Sequence, residues 1–485
     1  MAMSAVAGML LFASLPPRGW WWAGVVGIGL FAAAVRHVSG WRRAGLGLVM
    51  GVLWFGPALV WVTRFSMPGA VLLIGLQAAS IALAAAAVPP TRVGLLPAAL
   101  VVSEWLRGAW PFGGFPLAGA ALGQAEAPFV EVVTLGGPLV LVGVAAASGV
   151  AIAQFATGDR RTAAGLVPFV LIATLTGVAA VSTTQPVGAP VAVTVIQGGG
   201  PRGVPAVTAD PGDAFDRHIE ASSPIPAGTE LIIWPENVAD VGGPVAGTPE
   251  GARLSELARA ARATLIAGVT EDVGDLRFRN AAIAWSPSGA ILGRYDKVHR
   301  VPFGEYIPAR GLLSRIVDLS LVPRDAIAGD GPGLLTTPSG PVGVAVSFEV
   351  FFPERVRAAV RAGGQLVVVP TNAASFVTDE VPAQQLAAAR LRALESGRHV
   401  IQAGPTGYSA IIAPDGTVHS VTELGVAQVL TGEVRRRAGV TPYVRVGDLP
   451  IVLVALIVLA LGSTQARRHQ DEDREAHDQG QRGDL

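Results

Sequence analysis

Gly293-Arg294-Tyr295-Asp296-Lys297-Val298-His299-Arg300-Val301-Pro302-Phe303-Gly304-Glu305-Tyr306-Ile307-Pro308 is punctuated by glycine and proline and reads as a long ordered loop. It carries Lys297, the single lysine among 36 lysine and arginine residues. Arginine serves everywhere else, although it does not replace lysine where a compact ammonium or a movable proton is needed. Two further segments flank the loop. In Leu231-Ile232-Ile233-Trp234-Pro235-Glu236 an apolar strand is followed by proline and a carboxylate, which puts Glu236 over the end of a sheet. In Val342-Gly343-Val344-Ala345-Val346-Ser347-Phe348-Glu349 a buried strand ends in Ser347, and Phe352-Pro353-Glu354-Arg355 opens a helix just beyond. A nucleophile there would gain from nearby backbone N–H groups and the helix dipole. Taken singly, each segment has a plainer reading: a basic solvated loop, a surface acid, a hydroxyl closing a strand or starting a cap.

Working outward, short β-branched runs alternate with helical stretches between residues 190 and 440. The predicted strands are Val191–Gln197, Glu230–Trp234, Ala263–Val269, Ala281–Trp285, Val342–Ser347, Gln365–Pro370, Val400–Ala403 and Ser409–Ile412. The predicted helices are Pro211–Ala221, Gly251–Arg262, Glu354–Ala362 and Val381–Arg398. This alternation argues for an α/β domain.

The remainder is apolar. The chain is 51% hydrophobic and 15% charged with a mean hydropathy of +0.49, against about 25% charged residues in an ordinary soluble protein. Residues 1–185 form runs at 5–15, 20–35, 43–63, 69–88, 93–106, 129–155 and 162–181. These are the expected membrane helices, several of them shorter than the roughly 20 residues a span needs. The first competes with a signal-peptide core, but no small-residue cleavage site follows it. A further span is expected at 447–463, and the polar residues 464–485 read as a disordered cytoplasmic tail. Arg36, Arg42, Arg43, Arg92, Arg160, Arg161, Arg467 and Arg468 fall on one side, Arg18, Arg64 and Arg107 on the other. The positive-inside rule then places the α/β domain outside the cytoplasm. Tryptophans 20–22, 41, 54, 61, 105 and 110 fit interfacial belts.

A net charge of zero offers no basic field for nucleic acid. With no cysteine, disulfides, zinc thiolates and thiol catalysis are excluded. The seven histidines form no ligand-spaced cluster, and no metal or organic cofactor is implied. Gly198–Gly200 lacks a phosphate-binding motif and reads as a loop.

Together, the Trp-Pro-Glu of Glu236, the Tyr-Asp-Lys-Val-His of Lys297, the Pro-Phe-Gly-Glu-Tyr of Glu305 and the strand end at Ser347 resemble the Glu–Lys–Cys set of the nitrilase, or carbon–nitrogen hydrolase, superfamily. Membrane helices before this domain and one after it narrow the resemblance to the apolipoprotein N-acyltransferases, over nearly the whole chain. The resemblance implies a polytopic helical membrane domain joined to an αββα sandwich on the outer face of the bacterial cytoplasmic membrane. It implies transfer of an acyl chain from a phospholipid to the α-amine of the diacylglyceryl-cysteine of an apolipoprotein, through an acyl-enzyme. By match, Glu236 is the general base, Lys297 stabilises the oxyanion and Glu305 assists Lys297. Glu349 matches the acid two residues after the nucleophile, and Ser347 stands where the family has its cysteine. Phe348 replaces the family's tyrosine. Gly198-Gly199-Gly200-Pro201 stands near an Asn-containing stretch of the family, Ala373-Ala374-Ser375-Phe376 replaces a Trp-Phe pair, and Pro405-Thr406-Gly407 replaces Asn-Thr-Gly. Two readings stay open: an acyltransferase working through Ser347, or an impaired paralogue that binds lipoprotein, phospholipid or a membrane enzyme.

Overall fold

Strand-forming β-branched runs and apolar helical runs segregate along the chain, and a computed structural model follows that division. It describes residues 1–207, 210–315, 319 and 322–483. The chain falls into two compact units, Met1–Val178 with Asp448–Leu485, and Ala179–Gly447.

In the first unit each of the seven N-terminal apolar runs is a helix: Ala2–Ser14, Trp21–Val35, Gly40–Leu59, Met67–Ala87, Leu96–Ala109, Val133–Ala156 and Arg160–Ala180. Five stretches among the described residues are long and apolar enough to cross a membrane: Gly40–Arg64, Met67–Ala87, Val130–Ala156, Arg160–Thr183 and Leu449–Ala466. Ala2–Ser14 and Trp21–Val35 are apolar but shorter. Small residues let helices approach closely, as is usual where lipid removes the hydrophobic drive between them. A Cβ on Gly51 would lie 2.6 Å from Ala78 Cα, and one on Gly47 would lie 2.9 Å from Ala82 Cα.

The tail differs from expectation. The last helix runs unbroken from Leu449 to Gly483, where a disordered segment from 464 was expected. Polarity denies this segment a core, but its Ala, Gln, Glu and Arg content favours local helix. Residues 484–485 of that expected tail lie outside the described residues.

The second unit contains strands β1 (Gln185–Gln197), β2 (Leu231–Ile233), β3 (Ala239–Val241), β4 (Thr264–Asp272), β5 (Arg277–Trp285), β6 (Ile291–Asp296), β7 (Asp325–Ala326), β8 (Leu334–Thr337), β9 (Gly340–Val344), β10 (Leu366–Pro370), β11 (Val400–Ala403), β12 (Ala410–Ile412), β13 (Val418–Val421) and β14 (Gln428–Ala438). One sheet has the order β14-β1-β2-β4-β5-β6, with β3 on β4 and β7 on β5. The other has the order β13-β12-β11-β10-β9-β8.

Side chains alternate across each strand. Val193, Val195, Leu231, Ile233, Ala282 and Ala284 turn to an inner core shared with Val342, Val344, Leu366, Val368 and Ile401 of the second sheet. Their neighbours Ile196, Ile232, Leu265, Ala267 and Ile283 face Phe215, Leu254 and Ala258 of helices Pro211–Ala221 and Pro249–Ala261. Helices Pro353–Arg361 and Glu380–Ser396 cover the second sheet. The result is the expected αββα sandwich.

Sequence patterning placed all eight predicted strands but passed over β3, β6, β7, β8, β13 and β14. It also carried the strand before Ser347 too far. β9 ends at Val344, and Ser347 opens a short 3-10 turn, Ser347–Phe351.

Candidate active site

Strand ends and the loops after them deliver each functional side chain. Beyond β2, Trp234 N donates to Ile266 O at 2.8 Å, and Gly268 N donates to Pro235 O at 3.0 Å. These bonds keep the Trp-Pro-Glu turn on its neighbour β4 and leave Glu236 buried, 3% exposed. Asn237 follows in the left-handed region at φ 54°, where its short polar side chain is among the better tolerated. Thr270 Oγ1 donates to Asn237 Oδ1 at 2.7 Å. Beyond β6, Lys297 N donates to Asn280 O at 2.8 Å, which extends the β5–β6 pairing by one residue.

Lys297 Nζ lies 2.8 Å from Glu236 Oε1 and 2.7 Å from Glu305 Oε1, and its side chain is buried. Asn280 Nδ2 donates to the same two oxygens, at 2.8 Å and 3.1 Å. The remaining oxygen of Glu305 accepts from Val301 N at 2.7 Å, so the loop closes on itself around this carboxylate. Burial alone pushes the Lys297 ammonium down, but the charges and hydrogen bonds of Glu236 and Glu305 outweigh it and hold the group above its usual range. Lys297 is therefore a fixed cation across the physiological pH range, and it suits stabilisation of developing negative charge.

Ser347 is 6% exposed and adopts φ 52°, a left-handed conformation that a non-glycine residue holds only when its surroundings enforce it. Its Oγ accepts a hydrogen bond from Thr371 Oγ1 at 3.3 Å. Among the described residues no hydrogen bond joins Ser347 to Glu236 or Lys297. The neighbouring Asn372 Nδ2 reaches Glu236 O at 3.4 Å, which links the strand beside Ser347 to the segment bearing the acid.

Glu349 has a different task from the other acids. Its fully buried carboxylate accepts from Val298 N at 2.8 Å, His299 N at 2.9 Å and Val346 N at 2.8 Å. Tyr295 Oη donates to it at 2.9 Å, and Arg355 Nη2 donates to Tyr295 Oη at 2.8 Å. One carboxylate thus ties the residue after Lys297 to the residue before Ser347. Burial raises the Glu349 carboxyl above its usual range, against the opposing pull of these backbone N–H groups and Arg355. Burial likewise raises the Tyr295 hydroxyl, so it stays protonated as a donor. This geometry suits Glu349 to holding the two segments together.

The structure therefore joins Glu236, Lys297 and Glu305 directly, and places Ser347 and Glu349 through intermediaries. Sequence reasoning passed over Asn280, Thr371, Tyr295 and Arg355 in these roles. Asn280 did carry a signal, since a polar residue just before the apolar Ala281–Trp285 run needs partners once buried. Among the described residues no group of three or more His, Cys, Asp or Glu side chains is arranged to hold a metal ion.

A buried Glu–Lys–Glu cluster at the strand ends of an αββα sandwich is the arrangement of a carbon–nitrogen hydrolase domain, and the carbon–nitrogen hydrolase pattern matches residues 192–443. The pattern of the apolipoprotein N-acyltransferase N-terminal domain matches residues 7–151. The apolipoprotein N-acyltransferase of Mycolicibacterium smegmatis is 31% identical over 93% of this chain and 82% of its own. That of Methylococcus capsulatus is 28% identical over 97% of both chains. A solved nitrilase-superfamily structure from Saccharomyces cerevisiae covers 51% of this chain and 90% of its own at 18% identity and a TM-score of 0.40. The chain belongs to the apolipoprotein N-acyltransferase family.

Proposed function

We propose that this protein transfers an acyl chain from a membrane phospholipid to the N-terminal diacylglyceryl-cysteine of an apolipoprotein, with Ser347 as the nucleophile and the α/β domain on the extracytoplasmic side. The observation that carries the reading is Lys297, held as a buried cation between Glu236 and Glu305. The asymmetric distribution of arginines between the loops supports the orientation.

In the first half-reaction Ser347 Oγ attacks the ester carbonyl of the phospholipid while Glu236 takes its proton. Glu236 commits Oε1 to Lys297 and Asn280, and among the described residues its Oε2 carries no hydrogen bond, which leaves that oxygen for the proton. Lys297 stabilises the oxyanion. The ester C–O bond breaks, the proton passes from Glu236 to the leaving glycerol oxygen, and an acyl-serine and a lysophospholipid result. In the second half-reaction the lipoprotein amine attacks the acyl-serine, Glu236 accepts the amine proton, and collapse returns it to Ser347 Oγ with an amide formed. Serine cannot be pre-ionised as a cysteine thiol can, so removal of its proton must accompany attack. The Thr371 bond holds the Ser347 oxygen and leaves the serine proton free to point elsewhere.

Intact-protein mass spectrometry after incubation with phospholipid tests this reading. An acyl adduct is expected on the native chain and absent from Ser347→Ala. An adduct only on Ser347→Cys would instead mean a lipid-binding scaffold whose serine does not turn over.

A further inference from the structure

The helical unit contains a polar feature that acyl transfer does not use. A cavity of about 260 Å³ is lined by Ser39, Gly40 and Arg43 at the start of helix Gly40–Leu59, by the last turn of Met67–Ala87 with Val88, and by Ser463 and Ala466 of the C-terminal helix. Arg43 is 1% exposed. Its Nη1 makes a long bond to Val38 O at 3.4 Å. Its Nε and Nη2 are buried and have no acceptor among the described residues. Ser39 holds the N-cap position of the helix but makes no capping hydrogen bond. Among the described residues, none that lines the cavity is acidic.

A guanidinium out of water with unused donors is strongly unfavourable unless an acceptor meets it. Here an uncapped helix N-terminus adds its dipole to the same place, and both features favour an anion. Arginine's planar fork matches phosphate oxygens in particular. All three helices carry stretches long and apolar enough to span a membrane, and the cavity lies at the ends of those stretches. That is the depth at which phospholipid headgroups present their phosphates. The volume is small against whole-ligand pockets of about 300–1,000 Å³, which fits a headgroup with its acyl chains left in the bilayer.

We propose that this cavity is a phosphate-binding site for a membrane phospholipid headgroup, with Arg43 as its principal donor. The proposal does not depend on the acyltransferase reading.

The test uses full-length protein in detergent carrying Ser347→Ala, so that no acyl-enzyme contributes. Thermal shift and native mass spectrometry are run with dihexanoyl-phosphatidylglycerol, with inorganic phosphate, and with dioctanoylglycerol, which lacks phosphate. The phospholipid is expected to bind and to lose affinity by about tenfold or more in Arg43→Gln, and dioctanoylglycerol is expected to give no Arg43-dependent shift. Ser463→Trp fills the cavity and leaves Arg43 in place, and it is expected to show the same loss, which decides the matter if Arg43→Gln does not fold. Inorganic phosphate binding as tightly as the phospholipid, with the same dependence on Arg43, would keep the phosphate chemistry and assign the site to free phosphate. Binding unchanged in the variants, or absent for both phosphate probes, would overturn the proposal.

Discussion

Lys297 stands where each of its neighbours demands a small cation. Three side chains converge on it, Glu236 and Glu305 with direct ion pairs and Asn280 bridging the same two oxygens. A guanidinium carries its charge on a wider planar group that cannot occupy this volume without moving a carboxylate. In a chain that uses arginine at every other basic position, this is a physical reason for the one lysine. Lys297→Arg is expected to slow acyl-serine formation about a hundredfold or more, the scale of losing an oxyanion donor, with a smaller effect on KM. Single-turnover acylation followed by mass spectrometry measures this, and a rate within a few-fold of the native chain would remove Lys297 from the role.

At the scale of elements, strand ends and the turns after them place the chemistry, and close backbone approach holds those turns. Gly268 in β4 is such a case at the acid-bearing turn. A Cβ there would lie 2.4 Å from Glu236 Cα and 2.4 Å from Pro235 O, both backbone atoms that cannot rotate away. Gly268→Ala must therefore push the acid-bearing turn off its strand. The expected cost is about 1–3 kcal/mol of stability, together with loss of acylation. Gly293→Ala in β6, whose nearest neighbour would be Leu335 Cδ2 at 3.7 Å, is the matched control and is expected to keep its activity. Equal effects of the two substitutions on melting temperature and acylation would contradict this account. The edge strand β14 shows a second element-scale feature. It carries Arg435, Arg436 and Arg437 at an edge of its sheet, where charge discourages pairing with another chain.

For the folded molecule, acid is expected to be damaging because two histidines are buried in the neutral form. Burial lowers both His218 and His399 to about 4. His218 Nε2 accepts from Gly198 N at 3.0 Å and Nδ1 lies 2.7 Å from Ala214 O, so a second ring proton would face an N–H group. In the unfolded chain each histidine binds a proton near its ordinary value of 6.5, ahead of the folded state. Their contribution to stability is thus present above about 6.5 and is lost as pH falls toward about 4, by about 3 kcal/mol for each group. The raised carboxyl of Glu349 acts in the opposite sense, so the comparison must isolate one histidine. The melting temperature of the native chain is expected to fall more steeply between those pH values than that of His218→Gln. Parallel curves would show that His218 does not titrate on unfolding.

Apolar runs and strand periodicity, read residue by residue, placed the seven N-terminal helices and the eight strands of the two sheet centres, while Glu236, Lys297, Glu305 and Ser347 stood out through motifs at strand ends and in one loop that resemble the carbon–nitrogen hydrolases. These features are local: a run of side chains facing lipid or core, or a polar residue where such a run stops. Only the tertiary structure decided that Asn280 bridges two acids, that Thr371 holds Ser347, and that Glu349 ties the residue after Lys297 to the residue before Ser347. These partners lie on different strands or in the turns and loops beyond them, and only sheet packing brings their donors and acceptors within reach. The strand β14 escaped for a related reason, since its exposed, charged alternation resembles a loop until pairing with β1 supplies its hydrogen bonds. Local patterning specifies which residues must leave water, whereas the identity of the buried partner that compensates each polar group is set by contacts far apart in the chain.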